Sequence, residues 1–323
     1  MANFEEDINF TSLGMLILDA VHLPYGKVGW TIRKGYDFPP ESLRQLETWG
    51  LTLSIIQEDR CLSTRGQLKY LDSTLATKSF KYLTPTLTIQ PEHLQNTCLL
   101  RSRSFHFFVD PTQIIEQTTQ LQELCKAAGI TTRPAIIWEP KAYSCTSENL
   151  QAFIEAMRVV DVFSPNHIEL ARITGKEIPT SLDERFLEDL CAPFFTPQNG
   201  GSHPQGMLVV RAGDQGCFVK SQSLQKGLPA YYAPPEKPQA IPHASKVVDT
   251  TGAGNAFLGA FAVGFPTSSS DALFAACAGN VAASFVVEQV GVPTLTLSED
   301  GTELWNGESF SARFQAYRAR LGE

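Results

Sequence analysis

Long apolar runs are missing from this sequence: no stretch of about 18 consecutive apolar residues occurs, so no membrane-spanning helix is expected. The N-terminus is acidic and carries no basic, apolar leader, which places the protein in the cytosol, with the nucleus as the alternative. Excess positive charge is missing as well. A formal charge of −8 disfavours broad electrostatic binding to nucleic acid or to an anionic membrane. The seven cysteines are scattered and never spaced Cys-x-x-Cys, which argues for reduced thiols serving as small core residues. Zinc-ligand spacing is absent among the six histidines, and no Gly-x-Ser-x-Gly nucleophile elbow is present. Internal repeats, coiled-coil heptads and low-complexity boundaries are lacking too.

What is present is a chain of 323 residues, 43% of them hydrophobic, enough for a well-buried core. Phe10 to Leu18 reads as a buried strand closed by Asp19, and Val28 to Ile32 as a second strand. Only Asp19 to Lys27 separate the two, and Pro24 and Gly26 oppose a helix there, so no crossover fits between them as a parallel pair. Pro39-Pro40-Glu41 opens a helix that ends at Gly50, and Leu51 to Ile56 forms a strand. Residues 57 to 100 are poorly periodic, with Arg60 and Arg65 read as solvated.

From Ser104 the alternation is regular. Ser104 to Val109 is a strand, Asp110-Pro111 opens a helix ended by Gly129, Pro134 to Trp138 is a strand, and Ser147 caps a helix reaching Met157. Val159 to Phe163 and Met207 to Arg211 are further strands, the latter joined tightly to Phe218 and Val219. Leu228 to His243, rich in proline and holding Tyr231 and Tyr232, is expected to be a surface loop. Ser270-Asp271 caps an Ala-rich helix. In a terminal helix Phe310, Phe314 and Tyr317 face inward while Arg313, Arg318 and Arg320 form a solvated face. Such alternation predicts one α/β domain over 1–323, its mostly parallel sheet covered on both faces and its ligands at the carboxyl ends of the strands.

The stretch from Lys246 to Phe261 carries the chemistry. A β-branched run enters the turn Asp249-Thr250-Thr251-Gly252-Ala253-Gly254-Asn255, and an apolar segment of helical spacing follows. A glycine turn at a helix start, where backbone N–H groups lack partners, is a phosphate cradle. A nucleoside-triphosphate P-loop would need Lys and Ser/Thr after its last glycine, and Gly259 is followed by Ala260 and Phe261. A dinucleotide turn would need a third small residue where Phe257 stands.

The turn instead resembles the second signature of the PfkB family of carbohydrate kinases, Asp-Thr-x-Gly-Ala-Gly-Asp. Pro165-Asn166-His167-Ile168-Glu169 ahead of Ile173-Thr174-Gly175 resembles that family's metal and phosphate motif, and Arg211-Ala212-Gly213-Asp214-Gln215-Gly216 its phosphate-facing turn. The resemblance implies a ribokinase-like three-layer αβα sandwich that binds ATP and Mg²⁺ and moves the γ-phosphoryl of ATP to a hydroxyl of a sugar or sugar-like alcohol. By position, Gly252, Ala253 and Gly254 would cradle the transferred group, and Thr250, Thr251, Arg211, Gly213 and Asn166 would bind the nucleotide. Asn166 and Glu169 would arrange Mg²⁺, Glu169 through water, although Asn-x-x-Glu at a helix start is by itself also ordinary capping chemistry. Asp19 would bind sugar hydroxyls, or else only cap a strand end.

Two departures stand out. Asn255 occupies the place of the family's catalytic aspartate, and a neutral amide is not a proton acceptor near neutral pH. No Gly-Gly pair precedes Gly200, so the β-lid and the Gly-Gly helix that contact the sugar are largely absent, an apparent deletion near 24–28. Either this branch has lost the segment or a gene model has skipped it. Within the family the chain resembles the fungal maintenance-of-killer-type branch, which carries Gly-Asn in this turn and is linked to the stability of viral particles. The expected function is therefore ATP-dependent phosphorylation of a sugar or nucleoside, impaired by Asn255. The alternative is a catalytically dead nucleotide-binding protein that acts by binding or assembly with a protein partner.

Overall fold

Two-residue alternation along the strands sets the architecture. The computed structural model describes residues 10–12, 28–70, 78–196, 206–232 and 246–322. In order come β1 (Phe10–Ser12), β2 (Val28–Gly35), α1 (Pro40–Thr48) and β3 (Thr52–Glu58), then a hairpin of β4 (Gly66–Tyr70) and β5 (Lys78–Tyr82). β6 (Ser104–Val109), α2 (Pro111–Ala127), β7 (Ala135–Pro140), α3 (Leu150–Met157), β8 (Val162–Phe163), α4 (His167–Thr174) and α5 (Glu184–Cys191) follow. The chain continues through β9 (Met207–Arg211), β10 (Cys217–Lys220), β11 (Gln225–Leu228), α6 (Ala253–Thr267) and α7 (Ala272–Val286). It closes with β12 (Leu295–Leu297), β13 (Glu303–Trp305) and α8 (Phe310–Leu321).

Nine strands form one sheet in the order β11-β10-β9-β8-β7-β6-β1-β2-β3. It is parallel from β3 through β9 and antiparallel only at β9-β10-β11. Ile136 and Trp138 of β7 and Leu208 and Val210 of β9 pack into one apolar core with α2 to α5. Their neighbours Ile137 and Val209 point the other way, into a core with α6, α7 and α8. This is the three-layer αβα sandwich, and its period of two explains why the central strands read as unbroken apolar runs. Trp138 anchors the first core, stacked 4.4 Å from Phe163 and 5.4 Å from Phe153, while its indole N–H donates to Val109 O at 2.8 Å.

Helix boundaries follow their caps. Asp110 accepts from Thr112 N and Gln113 N at the start of α2, and Asp271 from Leu273 N and Phe274 N at the start of α7. Ser147 does not cap α3; a short 3-10 turn, Ser147–Asn149, leads into it.

Two further expectations are corrected. Phe10 pairs with Val28 in parallel register, so β1 and β2 are parallel neighbours after all. Residues 13–27, between these two strands, lie outside the described residues. The poorly periodic stretch after β3 contains a two-stranded antiparallel sheet, β4 with β5, separate from the main one. Each of its strands has only five residues, with two apolar residues at alternate positions, and Leu68, Phe80 and Tyr82 stay exposed, so the pattern is too short and too little buried to mark it. Residues 24–27 of the apparent deletion, and residues 233–245 of the proline-rich loop, lie outside the described residues. Among the described residues no helix is long and apolar enough to cross a membrane.

Candidate functional site

The carboxyl ends of the parallel strands and the start of α6 converge on a cleft of about 450 Å³. Its glycine turn is built by Asp249, which is buried and whose Oδ1 accepts from Thr251 N at 3.0 Å and from Thr251 Oγ1 at 2.8 Å. The turn closes at Gly252, held at φ +85°, a left-handed conformation that costs an L residue roughly 1–2 kcal/mol. Gly252 is also the N-cap of α6, so no side chain caps that helix. Its first turn, Ala253 and Gly254, lines the cleft and presents the partial positive charge of a helix start.

Arg211, the last residue of β9, lies against this turn. A Cβ on Gly254 would stand 2.5 Å from Arg211 Nη1, so glycine alone admits the guanidinium there. Arg211 Nη2 is 2.7 Å from Glu139 Oε1 and 3.7 Å from Glu169 Oε2, and it donates to Ser164 O at 3.1 Å. Glu139, the penultimate residue of β7, is buried and meets His106 Nε2 at 3.3 Å through its other oxygen. Burial pushes the Glu139 carboxyl up, but Arg211 and His106 outweigh burial and hold it below the usual glutamate range. For Glu169 burial wins, and its carboxyl is raised. His167, lowered by burial, places Nδ1 3.4 Å from Arg211 O.

Asn166 and Glu169 serve one another. As N-cap of α4, Asn166 Oδ1 accepts from Glu169 N at 2.8 Å, while Glu169 Oε2 accepts from Asn166 N at 2.8 Å. This is a capping box, the ordinary use of such a pair at a helix start. Among the described residues no group of three or more His, Cys, Asp or Glu is placed to hold a metal ion.

The opposite wall is more apolar. Tyr231 and Tyr232, buried and edge-to-face at 4.9 Å, line it with Asn280, Ala283, Ser284 and Val287. Here the solvated reading of Arg313 fails: it is 2% exposed, bonded to Glu308 (Nη2 to Oε2, 2.6 Å), Glu288 (2.9 Å) and Ser284 Oγ (3.0 Å), and stacked 3.7 Å over Phe285. A long apolar stem and three acceptors make a buried arginine tolerable, and helical spacing alone could not show them.

Of the residues singled out in the sequence, Asn166, Arg211, Gly213, Thr250, Ala253 and Gly254 line the cleft. Thr251 and Gly252 complete the same turn, Glu169 lies beneath Arg211, and Asn255 is half-buried in the first turn of α6. Asp19 lies outside the described residues. Glu139 and His106 were missed, as were the tyrosines, which read as loop residues. A carboxylate closing an otherwise apolar parallel strand was the available signal for Glu139.

The profile of the pfkB family carbohydrate kinases matches residues 35–298. The chain belongs to the pfkB family. An uncharacterized protein of Schizosaccharomyces pombe is 29% identical over 346 residues, covering 97% of this chain and 93% of its own length. Protein MAK32 of Saccharomyces cerevisiae is 27% identical over 327 residues, covering 97% of this chain and 84% of its own. These relatives place the pfkB chain beside a fungal branch. Among solved structures, a ribokinase II of Escherichia coli in complex with ATP and Mg²⁺ superposes with a TM-score of 0.60 at 15% identity, covering 98% of this chain and all of that one. The fold is thus ribokinase-like, and pfkB membership supports a function of the kinase type.

Proposed function

We propose that this pfkB-family chain binds ATP in the cleft and transfers its γ-phosphoryl, slowly, to a hydroxyl of a sugar or nucleoside. The observation that carries this reading is the uncapped start of α6, with Gly252 left-handed and Gly254 facing Arg211, opening onto a cleft of about 450 Å³. Thr250, Ala253 and Gly254 cradle the phosphates, Gly213 borders them, and the wall of Tyr231, Tyr232 and Val287 receives the apolar part of the nucleotide. Asn255 orients the acceptor hydroxyl by hydrogen bonding without taking its proton. Loss of a general base costs about 10²- to 10⁴-fold in rate, yet transfer through a loose transition state persists by positioning and electrostatics. Asp19 remains the candidate for holding the sugar.

The side chains do not fit a divalent cation closely. Asn166 and Glu169 are committed to their capping box, and the nearest charge to Glu169 is the Arg211 guanidinium. No step here is routed through Mg²⁺.

The test is ATP turnover over pentoses, hexoses and nucleosides, reading ADP release and phosphorylated product. Slow product formation on one acceptor supports transfer. ATP binding without any product favours the second reading, a nucleotide-sensitive binding or assembly protein. That reading draws on Asn255 and on a described cleft lining whose single acidic side chain, Asp214, sits in the turn after β9.

A further inference from the structure

We propose that the Arg211 guanidinium supplies, at the phosphate end of the cleft, the positive charge that a divalent cation would bring, so that this chain binds nucleotide phosphate without one. The inference rests on the nucleotide reading above and adds what neutralises the phosphates.

The geometry fixes the charge in place. Arg211 is anchored through Nη2 to Glu139 at 2.7 Å and to Ser164 O at 3.1 Å, and its backbone N donates to Pro165 O at 3.1 Å. Nη1, turned toward Gly254 and the start of α6, meets no acceptor among the described residues, and Nε is buried without a partner. A guanidinium offers five donors, and here one edge is held by the protein while Nη1 points to the helix start that cradles anions. Phosphate entering at Gly254 meets a donor that is already positioned, which lowers the cost of ordering it.

The same arrangement works against a metal. Mg²⁺ takes oxygen ligands in near-ideal octahedral geometry, and Asn166 Oδ1 and Glu169 Oε2 are each already held by a backbone N–H of the helix cap, which fixes both side chains away from free ligand geometry. A cation reaching Glu169 would also have to settle beside the guanidinium, 3.7 Å away, against like-charge repulsion.

The experiment is a calorimetric titration of the full chain with ATP, in Mg²⁺ and in EDTA. The double variant Arg211→Ala/Glu139→Gln is then titrated in EDTA; it removes both charges together, so that neither is left buried and unpaired, and its thermal unfolding shows whether it is folded. The expected wild-type affinity differs by less than about threefold between the two buffers. The folded double variant binds about 10- to 100-fold more weakly, the loss of a charge-assisted hydrogen bond. Binding seen only with Mg²⁺, or undiminished in the double variant, overturns the inference and leaves the nucleotide reading standing. No binding in either buffer overturns both. If the double variant fails to fold, the wild-type comparison decides alone.

Discussion

Glu139 and Arg211 pair at 2.7 Å across β8, from the ends of two strands that are not neighbours in the sheet. The pair ties the sheet's carboxyl edge to the glycine turn, because the same guanidinium lies against Gly254. Removing one partner of a buried pair leaves the other charge uncompensated, so Arg211→Ala should destabilise the protein by about 3–5 kcal/mol near neutral pH in urea unfolding.

The pH dependence follows from the carboxyl. In the wild type the lowered Glu139 pKa contributes stability that is intact above the ordinary value of 4.5 and is lost as pH falls through the lowered one. Without Arg211, burial raises that pKa, and the variant is relieved as the carboxyl takes up its proton. The gap between wild type and Arg211→Ala should therefore narrow as pH falls from about 7 toward 4.5. A gap constant over that range would show that Glu139 is not the group left unpaired.

Gly254→Ala separates site from stability. The added Cβ would stand 2.5 Å from Arg211 Nη1, and the pinned guanidinium must shift away from the cradle. Alanine is otherwise the better helix former, by about 1 kcal/mol. The variant should melt within a few degrees of wild type and bind ATP at least about tenfold more weakly. Unchanged affinity would mean that phosphate does not approach this turn.

How much of this could be read in the sequence depended on the length scale of the signal. The parallel sheet, the capped helices α2 and α7 and the glycine turn are local patterns, and Asp249 through Gly254 lie together in the cleft region as read. The Arg211–Glu139–His106 cluster joins β9, β7 and β6, distant in sequence, and only sheet order makes them neighbours. Asn166 and Glu169 were legible both as a motif and as a capping pair, because the two uses share one spacing, and the structure shows the capping box. Arg313 misled for a related reason: its partners Glu288, Glu308 and Ser284 converge from outside its own helix.

Arg313 supports the second wall of the cleft, through Ser284 and through Glu288, which also accepts from the Tyr232 hydroxyl. Arg313→Ala should cost about 3–5 kcal/mol in denaturant unfolding. Arg313→Lys should recover little, because a point charge cannot bond Glu308, Glu288 and Ser284 at once while stacking on Phe285. Full rescue by lysine would assign the effect to charge alone.

In the proposed reaction the cleft takes phosphate and Asn255, a neutral amide, stands where the acceptor hydroxyl must lose its proton. Asn255 sits in the first turn of α6, where a negative charge is favoured by the helix start, so Asn255→Asp should fold as the wild type does. Coupled ATP turnover by the two proteins, on the same panel of pentoses, hexoses and nucleosides, is the most direct test. The account predicts that Asn255→Asp exceeds the wild type by about 10²- to 10⁴-fold on at least one acceptor. Equal and appreciable turnover by both would contradict it, because the amide would then not be what limits transfer.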